Sequence, residues 1–260
     1  MRLISWNVNG IRAAQGKGLV DWIKASGADC ICLQETKANP EQLDAGLLEI
    51  PGYKAVFRSA EKKGYSGVAA YFKREPLSVS DMGCPEFDAE GRGLLLEYPE
   101  FTLVNCYFPN SQEGGARLAY KLAFCDAVLD ICNGIVGRGG HVVVCGDYNI
   151  AHQPIDLARP DDNEDSPGYL PEERAWMSKF LGQGYVDAFR EFDKSAGKYT
   201  WWSFRTRARE RNIGWRIDYH CCDSGFRDAL DNASILSDVT GSDHCPIALD
   251  CLRRRHPGEE

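Results

Sequence analysis

Four short apolar runs end in polar side chains that could do chemistry together. One closes on Trp6-Asn7-Val8-Asn9-Gly10 and a second on Leu33-Gln34-Glu35-Thr36-Lys37. A third closes on Asn105-Cys106-Tyr107-Phe108-Pro109-Asn110 and a fourth on Cys145-Gly146-Asp147-Tyr148-Asn149. Strand ends are where α/β folds gather ligands, because side chains from separated segments meet there on a rigid sheet. Carboxylate and amide oxygens on such a rim suit a hard cation such as Mg²⁺. Each motif alone has a plainer reading: an Asn-Gly turn, a solvated Glu, an Asx turn at Gly-Asp-Tyr-Asn. Four in corresponding positions outweigh those readings.

Two further segments add acid–base and phosphate-binding groups. Of five histidines, only His244, in Gly241-Ser242-Asp243-His244-Cys245-Pro246, has a carboxylate adjacent and a Gly-Ser turn before it. A histidine oriented by a carboxylate serves as a general base or a phosphate stabiliser, although a surface Asp-His pair would look the same. Asp218, in Gly214-Trp215-Arg216-Ile217-Asp218-Tyr219, falls within an apolar strand. An unpartnered carboxylate is costly to bury, so Asp218 needs a donor, and a histidine is a good candidate. Upstream, Tyr199 to Arg209 interleaves Trp201, Trp202 and Phe204 with Arg205, Arg207 and Arg209. Aromatics mixed with arginines suit stacking and phosphate contact; the alternative is core tryptophans beside solvated arginines.

The elements that must position these residues alternate between strands and helices. Strands are predicted at 3–8, 30–33, 67–72, 94–98, 102–108, 141–145, 217–222 and 246–251, and helices at 19–25, 42–48, 118–135 and 172–181. Several strands follow one another directly, which points to mixed sheets. No low-complexity linker or fixed-period repeat divides the chain, so 1–252 reads as one domain and 253–260 as a frayed tail. The stretch 159–168, rich in Asp, Pro and Gly, reads as an exposed insertion.

Composition narrows the class. The 260 residues are 43% hydrophobic and 26% charged, which excludes disorder as the default. No apolar run is long enough to span a membrane, and the N-terminus turns polar too soon for a secretory signal. Eleven cysteines, an odd number with no Cys-x-x-Cys pair, read as reduced thiols in a cytoplasmic protein. The formal net charge of −8 argues against a passive nucleic-acid coat but not against an enzyme with a local basic face.

Taken in order from Ile4-Ser5-Trp6-Asn7 to Ser242-Asp243-His244-Cys245-Pro246-Ile247, the six segments resemble the exonuclease III/apurinic endonuclease family, part of the endonuclease/exonuclease/phosphatase superfamily. The resemblance implies a four-layered α/β sandwich, two mixed sheets packed face to face and flanked by helices. It implies a monomeric, Mg²⁺-dependent hydrolase, Mn²⁺ being a possible substitute, that acts on double-stranded DNA. The reaction would be incision 5′ to abasic sites, accompanied by 3′–5′ exonuclease activity and removal of blocked 3′ ends. By the same resemblance Glu35 is the principal metal ligand, with Asn7 and Asp243 nearby and Asp147 and Asn149 across the site. Asp147 orients or deprotonates the attacking water, and Asn149 positions it. His244, paired with Asp218, contacts the scissile phosphate, and Tyr107 assists at the phosphate or leaving group. Phe204 and Trp215 line a pocket for a flipped sugar, with Asn110, Asn163, Trp202, Arg207, Arg209 and Arg216 completing the DNA contacts.

Two departures and two rivals accompany this reading. The insertion carries Asp161, Asp162, Glu164 and Asp165 where relatives carry basic DNA-binding residues, and only Asn163 matches. Such a loop must either point away from DNA or weaken binding in a salt-dependent way. The segment 111–117 is the second departure, and leaves exonuclease strength open. One rival is a non-catalytic RNA-level regulator resembling the bacterial catabolite-repression control protein, suggested by 167–176 and 184–188. Intact Glu35, Asp147, Asn149, Asp243 and His244 speak for an enzyme instead. The other is a phosphatase of the same superfamily, which the aromatic–arginine stretch and the Trp215 motif disfavour.

Overall fold

The computed structural model describes residues 1–252; the tail predicted to fray, 253–260, lies outside them. Among the described residues, twelve strands divide into two six-stranded sheets. The first contains β1 (Arg2–Asn7), β2 (Cys30–Gln34), β3 (Lys54–Arg58), β4 (Val68–Phe72), β11 (Leu230–Ile235) and β12 (Ile247–Cys251), in the order β11-β12-β1-β2-β4-β3. The second contains β5 (Ser78–Ser80), β6 (Gly93–Glu97), β7 (Thr102–Tyr107), β8 (Val142–Asp147), β9 (Tyr185–Asp187) and β10 (Asp218–Asp223), in the order β5-β6-β7-β8-β10-β9. Each sheet has one parallel pair, β1 with β2 and β7 with β8, among antiparallel neighbours, so both are mixed as expected.

Strand periodicity explains the layers. On β1, Leu3 faces the other sheet while Ile4 and Trp6 face outward; on β8, Val143 and Cys145 face inward while Val142 and Val144 face outward. Inward residues of both sheets form a shared core with Cys32, Ala70, Leu94, Leu103 and Leu249. Outward residues of the first sheet pack under α1 (Ile11–Gln15), α2 (Leu19–Ala25) and α3 (Ala45–Leu48) through Ile11, Leu19, Ile23 and Leu47. Those of the second pack under α5 (Leu118–Gly137) and α6 (Pro171–Gly182) through Phe124, Val128, Trp176 and Phe180. Two short helices, α4 (Pro85–Asp88) and α7 (Ala188–Phe192), complete the set. The result is the four-layered sandwich. Among the described residues, no helix is long and apolar enough to cross a membrane.

All eight predicted strands form, with ends shifted by one or two residues. Four strands escape the sequence pattern: β3, β5, β9 and β11. They are the four sheet edges. An edge strand has a neighbour on one side only, so it carries exposed and polar positions that break an apolar run. Of the predicted helix at 42–48, only Ala45–Leu48 is α-helical. Pro40–Gln42 forms a separate 3₁₀ turn, and Asp44 begins a new helix by capping the Leu47 amide.

Candidate active site

Strand register assembles the centre of the site. Tyr107 pairs with Asp147 across β7 and β8, and Asp147 pairs with Asp218 across β8 and β10. The three stand in one row, and β1 of the facing sheet brings the Asn7 Nδ2 within 2.8 Å of Asp147 Oδ2. Gly146, just before Asp147, has φ +145°, and a Cβ there would lie 1.8 Å from the Cys106 carbonyl oxygen. Only glycine lets β8 approach β7 this closely. Between the row and the apolar core lies a polar layer, in which Gln34 Nε2 donates to Ser5 Oγ at 2.9 Å and Asn105 Oδ1 at 2.8 Å.

The loop before β12 delivers the cation. His244 Nδ1 is 2.9 Å from Asp218 Oδ2, which also accepts the Thr200 hydroxyl at 2.6 Å. The other ring nitrogen lies 3.8 Å from Asp147 Oδ2. Burial opposes a charge on His244, but Asp218 and Asp147 outweigh it and raise its pKa to about 10. Asp147 moves the opposite way from an ordinary carboxyl in a salt bridge. Burial first, then repulsion from Asp218, raises it to about 7 against the pull of His244. Two carboxylates therefore share one imidazolium, and Asp147 is left able to take a proton near neutral pH. Burial, with Glu35 and Asp147 close by, pushes the Tyr107 phenol well up, so it stays a neutral hydrogen-bond donor.

A second group of oxygens lies at the ends of β1 and β2. Glu35, Lys37 and Asn9 all have positive φ, at 58°, 53° and 46°. Such left-handed conformations are uncommon outside glycine and collect at functional sites. Lys37 Nζ bridges Glu35 Oε1 at 2.8 Å and Asn9 Oδ1 at 2.7 Å. Asn9 Nδ2 donates to Asp243 Oδ1 at 2.9 Å, and Trp201 Nε1 donates to Asp243 Oδ2 at 3.1 Å. Burial would raise the Asp243 carboxyl, but His244, Asn9 and Trp201 hold it below its ordinary range. The ammonium of Lys37 thus marks a place that attracts positive charge, and the donors around it are hard oxygens that fit a divalent cation. Asp147, Asp218 and His244 also bring ligand atoms within 4.8 Å of one another.

These groups open into a cleft of about 820 Å³ lined by Glu35, Tyr107, Asp147, Asn149, Asp243 and His244. Asn110 also lines it and donates to Asn149 Oδ1 at 3.1 Å. Asn7 is fully buried beneath the cleft floor, one end of its amide on Asp147 and the other on the Asn9 amide nitrogen. Trp201 and Trp215, edge to face at 87°, form an apolar wall with Ala208 and Ile213. The 159–168 loop does not point away: Arg159, Asp162, Asn163 and Ser166 also line the cleft.

Several predicted DNA contacts are corrected. Arg216 is 1% exposed, its guanidinium held by Asp156 at 2.8 Å and Asp187 at 2.7 Å, so it cannot reach a phosphate. Trp202 is 4% exposed, bonded to Asn212 and covered by Arg209, so its face is closed to a base. Arg209 spends its guanidinium on the carbonyls of Ser237, Val239 and Ser242. Phe204, 70% exposed, stands outside the cleft lining; Trp201 occupies the wall position expected of it. Arg207, by contrast, stays accessible to a phosphate, 82% exposed and 3.8 Å from a solvated Glu210. Asn163 reaches the cleft, but its Nδ2 donates to the Arg159 carbonyl within its own loop.

Thr200, Asn9, Lys37 and Trp201 were missed as site residues. Thr200 accepts the Ile217 and Asp218 amides as well as donating to Asp218, a role invisible in a lone threonine. Asn9 and Lys37 had a signal, since each lies two residues beyond a chosen position.

Residues 4–244 match the endonuclease/exonuclease/phosphatase family, to which the chain belongs; it is a phosphodiester hydrolase. It is 43% identical over 252 residues to an exodeoxyribonuclease of Bacillus subtilis, covering 96% of this chain and 98% of the relative. It is 41% identical over 254 residues to the DNA repair nuclease APEX1 of Danio rerio, covering 96% and 81%. Among solved structures, the AP endonuclease of Leishmania major superposes with a TM-score of 0.86 at 30% identity, covering 98% of this chain and 88% of that one.

Proposed function

We propose that this protein is a Mg²⁺-dependent DNA-repair nuclease that hydrolyses the phosphodiester 5′ to abasic sites, trims 3′ ends as an exonuclease and removes 3′ blocking groups, acting as a monomer. The observation that carries this reading is the row Tyr107–Asp147–Asp218 with His244 on it, set beside the apolar wall that Trp201 and Trp215 present to the same cleft. Phosphodiester hydrolysis needs an aligned water, stabilised charge on the phosphoryl oxygens and help for the departing 3′-oxygen. Asp147 takes the proton from that water, and Asn149, fixed by its bonds to Asp147, aligns it. Protonated His244, oriented by Asp218, donates to a non-bridging oxygen. The neutral Tyr107 hydroxyl hydrogen-bonds the departing 3′-oxygen, which takes a proton from solvent as the P–O3′ bond breaks and leaves as the 3′-hydroxyl. Bound at Glu35 and its neighbours, Mg²⁺ or Mn²⁺ would supply Lewis-acid stabilisation of phosphate charge. The cleft beside this wall accepts a sugar that lacks a base, a discrimination by shape.

The test is incubation with an end-labelled duplex bearing one tetrahydrofuran abasic analogue, with Mg²⁺ and with EDTA. Mg²⁺-dependent incision on the 5′ side, leaving a 3′-hydroxyl, is expected. A folded protein that leaves the duplex intact under both conditions sinks the reading.

A further inference from the structure

Behind the cleft lies a charged pair that takes no part in the chemistry derived above. Lys121 on α5 and Glu173 on α6 are both fully buried, with the ammonium 2.6 Å from the carboxylate. Burying an ion pair rarely stabilises a fold more than apolar residues of the same volume would. The pair therefore calls for a purpose besides stability, and its remaining bonds supply one. Lys121 Nζ donates to the Asn149 carbonyl oxygen at 2.6 Å. Glu173 accepts the Ser111 hydroxyl on one oxygen and the Gly168 and Leu170 amides on the other. Gly168 in turn seals the far side of Asn149: it has φ +95°, and a Cβ there would stand 3.1 Å from the Asn149 carbonyl oxygen.

Three segments that reach the cleft are thereby tied to one buried point: 110–111, Asn149, and 167–168. Asn149 needs such a tie, since its φ of 51° is a left-handed conformation that costs energy and persists only when its surroundings impose it. We propose that the Lys121–Glu173 pair is a positioning device for the reaction, holding the Asn149 backbone so that its side chain stays on Asp147 and within reach of Asn110. This rests on the function proposed above only in its kinetic consequence.

The experiment replaces the pair by a neutral one, Lys121→Met with Glu173→Gln, and confirms folding by thermal melting. On the abasic duplex at saturating Mg²⁺, kcat should fall about 30-fold or more while KM stays within about threefold. The same double substitution made in Asn149→Ala should cost no more than about twofold, because the loss runs through Asn149. A folded variant with unchanged kcat, or an equal loss in the Asn149→Ala background, overturns the proposal. Should the neutral pair melt below the assay temperature, Glu173→Gln alone carries the same comparison. A substrate-free readout separates this inference from the functional one. The Asn149 side-chain amide resonance, assigned by its loss in Asn149→Ala, should shift or broaden on neutralising the pair, whether or not the wild type cuts abasic DNA. An unmoved resonance overturns the positioning role.

Discussion

Arg216 and Asp218 lie two residues apart, yet they anchor two buried charge clusters of opposite character. Around Arg216, each charge has its complement: Asp156 takes Arg216 at 2.8 Å and Arg190 at 2.6 Å, and Asp187 takes the other face of the guanidinium. Burial alone would raise the Asp156 carboxyl, but the two arginines pull it below the ordinary range. Around Asp218, two carboxylates compete for one histidine, and Asp147 is raised to about 7. A buried cluster whose charges are matched is scaffold. One left short of a cation is poised to move a proton or to accept a positive ligand.

The sharpest way to break this contrast is to remove the short-handed cluster. Asp147→Asn and His244→Ala should each lower kcat on an abasic duplex by about 10³-fold or more, Asp147→Asn while melting within a few degrees of wild type. Near-normal turnover in either would make their cluster scaffold as well. In the matched cluster, Arg216→Met should instead cost about 3–5 kcal/mol of stability by stranding Asp156 and Asp187. Calorimetry or chemical denaturation reads that loss. A rise in KM for DNA without it would restore Arg216 as a phosphate contact.

The clusters should also respond to pH with opposite slopes, measured as melting differences in EDTA. Asp156 has a lowered carboxyl pKa, so its contribution is present above the ordinary value of about 4 and disappears as pH falls through the depressed one. The gap between wild type and Asp156→Asn should therefore close on acidification. Asp147 has a raised value, so its contribution is complete below about 4 and is lost as pH rises through about 7. Asp147→Asn should accordingly gain on wild type between pH 5 and pH 8. Parallel slopes would erase the distinction. The smallest effect belongs to the exposed Arg207: its change to Ala should weaken DNA binding about two- to threefold and flatten the salt dependence by about one unit of slope.

What was legible in the sequence follows from local physics. Inner strands such as β1, β7 and β8 are covered on both faces, so they read as apolar runs, and the polar residues that end them stand out. The edge strands β3 and β11 have no such run to interrupt. The Gly-Trp-Arg-Ile-Asp motif illustrates the limit within one segment. The expectation that Asp218 finds a histidine agrees with its bond to His244, whereas the partners that withdraw Arg216 from DNA, Asp156 and Asp187, lie 60 and 29 positions away and leave no local sign. The acidic loop raised two possibilities, and the fold decides for the one in which it borders the cleft.

The sequence motifs by themselves marked out side chains that the fold brings to one cleft: Glu35, Tyr107, Asp147, Asn149, Asp243 and His244, with Asp218 behind the histidine. A strand that ends in a carboxylate does so whatever its neighbours are. The shape of the −8 charge was decided by the tertiary structure. Strand register set Asp147 between Tyr107 and Asp218, burial raised its affinity for a proton, and packing withdrew Arg209 and Arg216 from the surface. Whether a charge is free, shared or spent depends on what lies within a few ångströms of it, and only the folded chain sets that distance.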